Sequence, residues 1–365
     1  MRISDRYIGK QVLLGTLFAV LVLSLVLVLG NLFKQIRPLL VDKHAPLWLV
    51  LRFVLNVLPF SLMFTIPWGF LSAVLLVFGR LSTDHEIISF RVAGVGLARL
   101  VVPVFVIAAV LSAACLWLNV NVVPKAKASL TELLFEQAKR DPRALLSPGM
   151  VHSGLKDVKF FVEDQQENAL LGLHLYRLPE NAAAEAPSDA YLHATRFTFV
   201  VDDGNQELRL KLYDASFETL KPDGTVDTFS AEEAEPYLIP FGASTYEKTK
   251  APAMTNQEIV AYLARHPELT PERRVKYHIE VAQRFSFSMA CLAFAFIAVP
   301  LGMQSRRKDS SSGLLISLLL GTGYFLFTIL AAESKSNAGA TLALWLPNVI
   351  CVGVGLFLFR RAQFK

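Results

Sequence analysis

The chain has 365 residues, of which 53% are hydrophobic, and its mean hydropathy is +0.43. This composition is typical of an integral membrane protein and argues against a soluble enzyme. The formal net charge of +5 is small for this length, and the sequence contains no basic tract of the kind that binds nucleic acid. All three cysteines fall in apolar runs, so neither a disulfide framework nor a zinc site is expected.

Apolar segments of about 20 residues or more, the length that crosses a bilayer, occur six times. They lie at 12–33, 47–79, 97–123, 281–302, 313–332 and 342–359. The first is too long for the apolar part of a signal peptide and no cleavage motif follows it, so we interpret it as an uncleaved anchor. The second would be about 50 Å long as one straight helix. It must therefore tilt, protrude or break, and Pro59 and Pro67 are the candidate break points.

Lysine and arginine residues beside the spans predict the orientation of the chain. On one side of the spans lie Arg2, Arg6, Lys10, Arg80, Arg91, Arg99, Arg306, Arg307, Lys308, Arg360, Arg361 and Lys365. The short loops on the other side carry only Lys34, Arg37, Lys43 and Lys335. Because positively charged loops stay in the cytoplasm, both termini and residues 80–96 are expected to be cytoplasmic. The long segment 124–280 is then extracytoplasmic.

A short polar segment, residues 79–96, separates the second span from the third. Thr83 and Glu86 have the T-x-x-E spacing of a capping box, which predicts a helix start. Gly94 and Gly96 are stop signals, so a helix of about three turns is predicted near 83–94. The apolar residues that this helix carries outside the lipid are Ile87, Ile88, Phe90 and Val92. A partly apolar helix in the loop of a membrane protein indicates contact with a partner.

The segment 124–280 predicts an all-β domain with flanking helices. Strand-like patterns occur at 158–162, 170–178, 191–201 and 207–213, and turn signals at 202–205 and 222–224. Helical patterns at 125–139 and 256–265 flank the strands. The predicted fold class is therefore an α-helical integral membrane protein with an inserted β domain. Three transmembrane helices precede the insertion, in 1–123, and three follow it, in 281–365.

Motifs of enzyme chemistry are missing from the sequence. No G-x-x-x-x-G-K-[ST] loop occurs, the seven histidines lack metal-ligand spacing, and the serines at 310–312 lack the G-x-S-x-G pattern. Catalysis within this chain has no support, and neither a cofactor nor a metal is predicted for it. The span centres carry no Asp or Glu, which weakens a proton-coupled secondary transporter.

Three cations lie near span ends, and two of them have two interpretations. Lys34 and Arg37 follow the first span, where they either snorkel to the interface or form a cationic rim that binds phosphates of an amphipathic substrate. Arg284, at the start of the fourth span, is more simply an interfacial anchor.

Several patterns resemble, in order along the chain, the LptF/LptG permease family, the membrane subunits of the ABC transporter that extracts lipopolysaccharide from the bacterial inner membrane. They are DRYIGK at 5–10, GRLSTDHE at 79–86, AG at 93–94, VP at 123–124, EVAQR at 280–284, VPLG at 299–302 and WLPN at 345–348. The chain departs from the family at the fourth span, where Gln283 replaces the first of two basic residues and Ser288 stands near the expected proline. Residues 136–142 and 334–337 look more like LptF and residues 5–10 more like LptG, with the balance towards LptF.

The resemblance implies a six-span permease half with a periplasmic β-jellyroll. In the family, two such halves form a cavity that takes lipopolysaccharide laterally, and a cytoplasmic ATPase dimer, which holds the ATP and Mg²⁺, drives the lipid to the jellyroll and on to a periplasmic bridge protein. The predicted helix near 83–94 would contact the ATPase. Its candidate contact residues are Asp84, Glu86, Ile87, Phe90 and Arg91. Glu86 either only closes the capping box or contributes its charge to the contact.

Two functions of different classes follow. The leading one is a non-catalytic permease subunit that exports lipopolysaccharide with a second six-span chain. The alternative is a membrane-anchored periplasmic sensor or scaffold whose β domain binds a ligand and which transports nothing.

Overall fold

The computed structural model describes residues 3–35, 47–140, 151–155, 158–166, 169–177, 189–202, 207–220, 225–240, 251–267, 269–304, 310–334 and 336–363. Its helices are α1 (Ile3–Gln35), α2 (Leu47–Thr83), α3 (Glu86–Val92), α4 (Leu97–Trp117), α5 (Val123–Arg140), α6 (Asn256–Arg265), α7 (Pro271–Gln304), α8 (Ser310–Ala332) and α9 (Asn337–Gln363). Its strands are β1 (Val151–Leu155), β2 (Val158–Gln166), β3 (Ala169–Arg177), β4 (Asp189–Asp202), β5 (Glu207–Leu220) and β6 (Val226–Pro240).

The chain divides into two compact units. One comprises residues 1–36, 46–130 and 250–365, and the other comprises 37–45 and 131–249. Within the described residues, six helices are long and apolar enough to cross a membrane, and the strands lie between the third and the fourth of them. The predicted six-span fold with an inserted β domain is confirmed. The flanking helices were also predicted, and α6 has the predicted bounds.

The sequence suggests Pro59 and Pro67 as break points of the second span, but helix α2 does not break there. It runs without interruption for 37 residues, with Pro59 and Pro67 inside it. A proline removes one backbone hydrogen bond, and packing against neighbouring helices makes this tolerable in a membrane protein. Helix α1 supplies such packing: the hydroxyls of Ser24 and Thr65 lie 2.8 Å apart, and a Cβ on Gly69 would come within 2.8 Å of Val20.

The predicted capping box at Thr83 and Glu86 is wrong. Thr83 is the last residue of α2, and its hydroxyl donates to the Gly79 carbonyl at 2.9 Å. Helix α3 begins only at Glu86, after His85 in a left-handed conformation (φ 59°), and no side chain caps it. The physical reason is that Leu81 is fully buried, so packing extends α2 one turn beyond the apolar run and keeps Thr83 helical.

The end of α3 is where the sequence predicted it. Gly94 has φ +80°, its N–H donates to the Arg91 carbonyl, and the N–H of Val95 donates to the Phe90 carbonyl. This pair of bonds is a Schellman motif, which requires a left-handed residue such as glycine. Helix α3 is therefore seven residues long, two turns instead of the three predicted.

The core of the helical unit joins α1, α2, α4 and α7. Its largest fully buried side chains include Phe70, Phe78 and Phe294, and the buried thiols of Cys115 and Cys291 belong to the same cluster. Helix α4 continues through a π-helical segment, Leu118–Val122, into α5. In that segment the buried Asn119 donates to the Ser288 hydroxyl at 3.0 Å, which ties the end of α4 to α7.

The described strands of the β unit form a six-stranded antiparallel meander in the order β1-β2-β3-β4-β5-β6. Each described strand therefore pairs with its neighbours in sequence. The crossover connections of the jellyroll that the family resemblance implied are not found among the described strands. Strands β1 and β6 were not predicted, and β5 is longer than predicted. The predicted turn at 202–205 has Asp202 at the end of β4, and its other three residues, like the turn at 222–224, lie outside the described residues.

One face of this meander carries a polar network across three strands. His174 on β3 contacts the Tyr191 hydroxyl at 2.7 Å through Nδ1 and Glu163 Oε1 at 2.9 Å through Nε2. Gly172 leaves room for Glu163, because a Cβ there would lie 2.4 Å from the carboxylate. The network therefore braces β2, β3 and β4.

Candidate functional site

An apolar cavity of about 280 Å³ opens between four of the long helices. Its lining residues are Leu27 and Asn31 of α1, Phe60, Ser61, Phe64, Pro67 and Trp68 of α2, Phe287, Ala290 and Phe294 of α7, and Gly321, Tyr324 and Phe325 of α8. Three rings from three helices meet there edge to face. The ring centroid of Phe64 lies 5.3 Å from that of Phe287 and 6.2 Å from that of Phe325, with interplanar angles of 81° and 72°. Such pairs hold the wall together while leaving an apolar surface.

Most polar atoms in the lining are already hydrogen-bonded within the protein. The Asn31 amide donates to the Leu27 carbonyl at 2.9 Å, and the Ser61 hydroxyl donates to the Val57 carbonyl at 3.2 Å. The Tyr324 hydroxyl bonds to the Ser286 carbonyl at 3.2 Å. A ligand in this cavity therefore meets mainly hydrocarbon, which suits an apolar chain.

Behind the cavity, a polar network joins α7, α8 and α9. The Asn348 amide donates to the Ser286 carbonyl at 3.1 Å and to its hydroxyl at 2.9 Å, and Asn348 Oδ1 lies 3.3 Å from the Tyr324 hydroxyl. All three side chains are buried. Because a buried polar group without a partner is costly, this satisfied network fixes how the three helices pack.

Gly321 shapes the cavity through its missing side chain. A Cβ at this position would lie 1.3 Å from Nε1 of Trp68. The indole of α2 therefore occupies the place of a side chain on α8, and both residues line the cavity.

Helix α3 is the second candidate site, and its residues divide between two faces. Ile87 and Phe90 are half-buried and pack against the core of the helical unit. Asp84, in the turn before α3, is exposed, as are Arg91, Ile88 (56%) and Val92 (83%) of the helix. The exposed surface thus has an apolar centre at Ile88 and Val92, which lie four residues apart on one helix face.

Glu86 has a partner that the sequence did not predict. The Tyr7 hydroxyl, near the start of α1, donates to the Glu86 carboxylate, with oxygen–oxygen distances of 3.2 and 3.4 Å. Glu86 therefore does not close a capping box, but it links α3 to the first long helix.

The two predicted substrate cations are not placed by the structure. The backbone of Lys34 belongs to the last turn of α1, but its side chain lies outside the described residues, as does all of Arg37. Among the described side chains, no cluster of three or more His, Cys, Asp or Glu could hold a metal ion.

Sequence reasoning missed the cavity, although its lining has a helical signature. Phe60, Phe64 and Trp68 recur every four residues along α2, and Phe287, Ala290 and Phe294 follow the spacing of one face of α7. In a span that is apolar on every side, this stripe does not stand out from lipid-facing residues.

Comparison with known proteins identifies the family. No curated protein matches the chain. The family model described as "Lipopolysaccharide export system permease LptF/LptG" matches residues 6–361, which include both sets of spans and the β insertion. The chain therefore belongs to the LptF/LptG family of lipopolysaccharide export permeases, as a multi-pass protein with six apolar helices.

Proposed function

We propose that this chain is the permease subunit of an ABC transporter that extracts lipopolysaccharide from the inner membrane, and that the apolar cavity receives acyl chains of the lipid. The observation that carries this proposal is the cavity itself. Its lining is aromatic and aliphatic, its polar groups are mostly hydrogen-bonded within the protein, and the chain belongs to a family of lipopolysaccharide export permeases. Lys34 and Arg37, three and six residues after the cavity residue Asn31 in the sequence, are the proposed partners of the lipid phosphates.

Extraction needs energy from outside this chain. Each CH₂ group removed from hydrocarbon costs about 0.8 kcal/mol, so several acyl chains together cost tens of kcal/mol. The sequence has no phosphate-binding loop for ATP. We therefore assign ATP and Mg²⁺ to a cytoplasmic ATPase dimer, and this chain to a non-catalytic role beside a second six-span chain.

Helix α3 is the proposed contact with that ATPase. The positive-inside rule puts α3 and both termini in the cytoplasm. Ile88 and Val92 supply the apolar centre of the docking surface, and Asp84 and Arg91 its charged rim. This division matches the usual anatomy of an interface, in which buried apolar anchors are surrounded by polar residues.

Of the two edge strands among the described strands, β1 and β6, we propose β6 as the contact with a periplasmic bridge protein. Among the described strands β6 pairs only with β5, so its second edge presents backbone groups to a further strand. Val226 and Phe229 are exposed there.

Depletion of the chain tests the function. We expect lipopolysaccharide to accumulate in the inner-membrane fraction and to decrease in the outer-membrane fraction. We also expect an ATPase and a second six-span protein to copurify with the chain. Unchanged distribution of lipopolysaccharide after depletion would instead support a sensor or scaffold.

Substitutions of Glu86 and Tyr7 separate two roles of the carboxylate. Glu86→Gln keeps an acceptor for the Tyr7 hydroxyl but deletes the charge, whereas Tyr7→Phe deletes the donor and keeps the charge. If the carboxylate binds a basic group of the ATPase, Glu86→Gln should lower export-coupled ATP hydrolysis in proteoliposomes by about tenfold, the effect of losing one hydrogen bond to a charged group. Tyr7→Phe should then change it little. Normal hydrolysis in Glu86→Gln together with a defect in Tyr7→Phe would make Glu86 a structural link.

A further inference from the structure

Arg284 of α7 is a buried hydrogen-bonding centre. Only 3% of the residue is exposed. Its Nη1 donates to Asn256 Oδ1 at 2.7 Å, and its Nη2 donates to the carbonyls of Met254 at 2.8 Å and Ala251 at 3.2 Å. Both Nε and Nη2 also donate to Glu280 Oε1, at 3.3 and 3.2 Å. The guanidinium thus binds one carboxylate on its own helix and three acceptors on another segment.

This burial excludes the interfacial anchor that the sequence suggested. A guanidinium enclosed by protein acceptors does not present its charge to lipid headgroups. A buried charge is tolerated only where its donors are satisfied, and losing an acceptor leaves it uncompensated. The charge is therefore used to hold protein segments together.

The segment that Arg284 holds, residues 251–256, is where the described chain resumes after β6. Its position is fixed further by a capping box at the start of α6: Thr255 N–H donates to Glu258, and Glu258 N–H donates to the Thr255 hydroxyl. Ala251, Met254 and Ile259 form a small apolar cluster with Tyr277 of α7. The segment is thus ordered and attached to one helix.

Arg284 also lies close to the cavity along α7. Phe287, three residues later on α7, lines the cavity and is one helical turn away. One rigid helix therefore carries both a wall of the cavity and the anchor of the segment that returns from the β insertion.

We propose that Arg284 is a positioning residue that locks residues 251–256 to α7, so that movement of α7 at the cavity is passed to the chain returning from the β domain. The proposal rests on the proposed function, because it assumes that lipid moves from the cavity towards that domain. It predicts a defect in release of lipid, whereas a cavity residue would show a defect in binding.

The test uses the complete transporter in proteoliposomes containing lipopolysaccharide. A photoreactive phenylalanine analogue at Phe325 reports lipid in the cavity, and ATP hydrolysis and lipid release to an acceptor are measured in parallel. Arg284→Lys keeps the charge but loses the planar fork that reaches several acceptors. Asn256→Ala removes one acceptor, Asn256→Asp retains it, and Gln257→Ala, at the exposed next residue, is the control.

We expect Arg284→Lys and Asn256→Ala to keep crosslinking and ATP hydrolysis within about twofold while lipid released per ATP falls about tenfold, as for one lost hydrogen bond to a charged group. Asn256→Asp and Gln257→Ala should match the unsubstituted protein. The proposal is overturned if release per ATP is unchanged in Arg284→Lys and Asn256→Ala, or if crosslinking, hydrolysis and release all fall together, which indicates only loss of folded protein. Absence of crosslinking in the otherwise unsubstituted protein would contradict the proposed function itself.

Discussion

Replacement of Ile88 by aspartate is expected to weaken binding of the ATPase by about 30-fold or more, the effect of losing an interface hot spot worth about 2 kcal/mol. Ile88 lies at the apolar centre of the exposed face of α3, and a carboxylate there would be buried without a partner in the complex. The fold of the chain itself should survive, because 56% of Ile88 is exposed. Copurification of the ATPase and ATP hydrolysis in proteoliposomes measure the effect.

The matched control is Val260→Asp. Val260 is 67% exposed on α6, so the same kind of charge is introduced on another helix that is not proposed to bind the ATPase. It should copurify with the ATPase normally. If Ile88→Asp also does so, the exposed face of α3 is not the docking surface.

Replacement of Gly321 by alanine is expected to prevent lipid from binding in the cavity. The new Cβ would overlap the Trp68 indole, whose Nε1 lies 1.3 Å from that position, so the ring must move, and the neighbouring free space is the cavity. Overpacking of this kind costs about 1–3 kcal/mol, and the displaced ring also fills volume that a ligand needs. Photocrosslinking of lipopolysaccharide from a label at Phe325 should fall strongly, with a modest decrease in thermal stability.

Two further variants identify the cause. Gly323→Ala, two residues along the same helix, introduces a Cβ that meets nothing within 4 Å, so it should crosslink normally. Trp68→Leu in the Gly321→Ala background removes the clash and should restore part of the crosslinking. Equal effects of Gly321→Ala and Gly323→Ala would mean that helix flexibility, and not the volume of the cavity, controls binding.

The two sites lie on shared helices. Helix α1 carries Tyr7, which binds Glu86 of α3, and also Leu27, which lines the cavity. These residues are 20 positions apart on one continuous helix, a distance of about 30 Å. Helix α7 similarly carries Phe287, which lines the cavity, and Arg284, which binds the segment 251–256. Both links depend on single side chains, so they can be tested separately from the cavity.

Hydrophobic composition and period determined the six spans, since about 20 apolar residues in a row have few alternatives to crossing a membrane. Alternation and turn residues determined four of the six described strands, and Gly94 determined the end of α3 because only a left-handed residue suits that position. These are local properties, and the sequence expresses them directly.

Tertiary structure alone decided the features that depend on a partner elsewhere in the chain. Burial of Leu81 extended α2 through Thr83 and removed the capping box, and packing against α1 kept α2 continuous through Pro59 and Pro67. Arg284 became an internal anchor because Asn256, Met254 and Ala251, about 30 positions away, supply acceptors in addition to Glu280 on its own helix. At the cavity, the Trp68 indole of α2 fits against Gly321 of α8. Contacts between distant residues are absent from any local pattern, so no spacing rule could supply them.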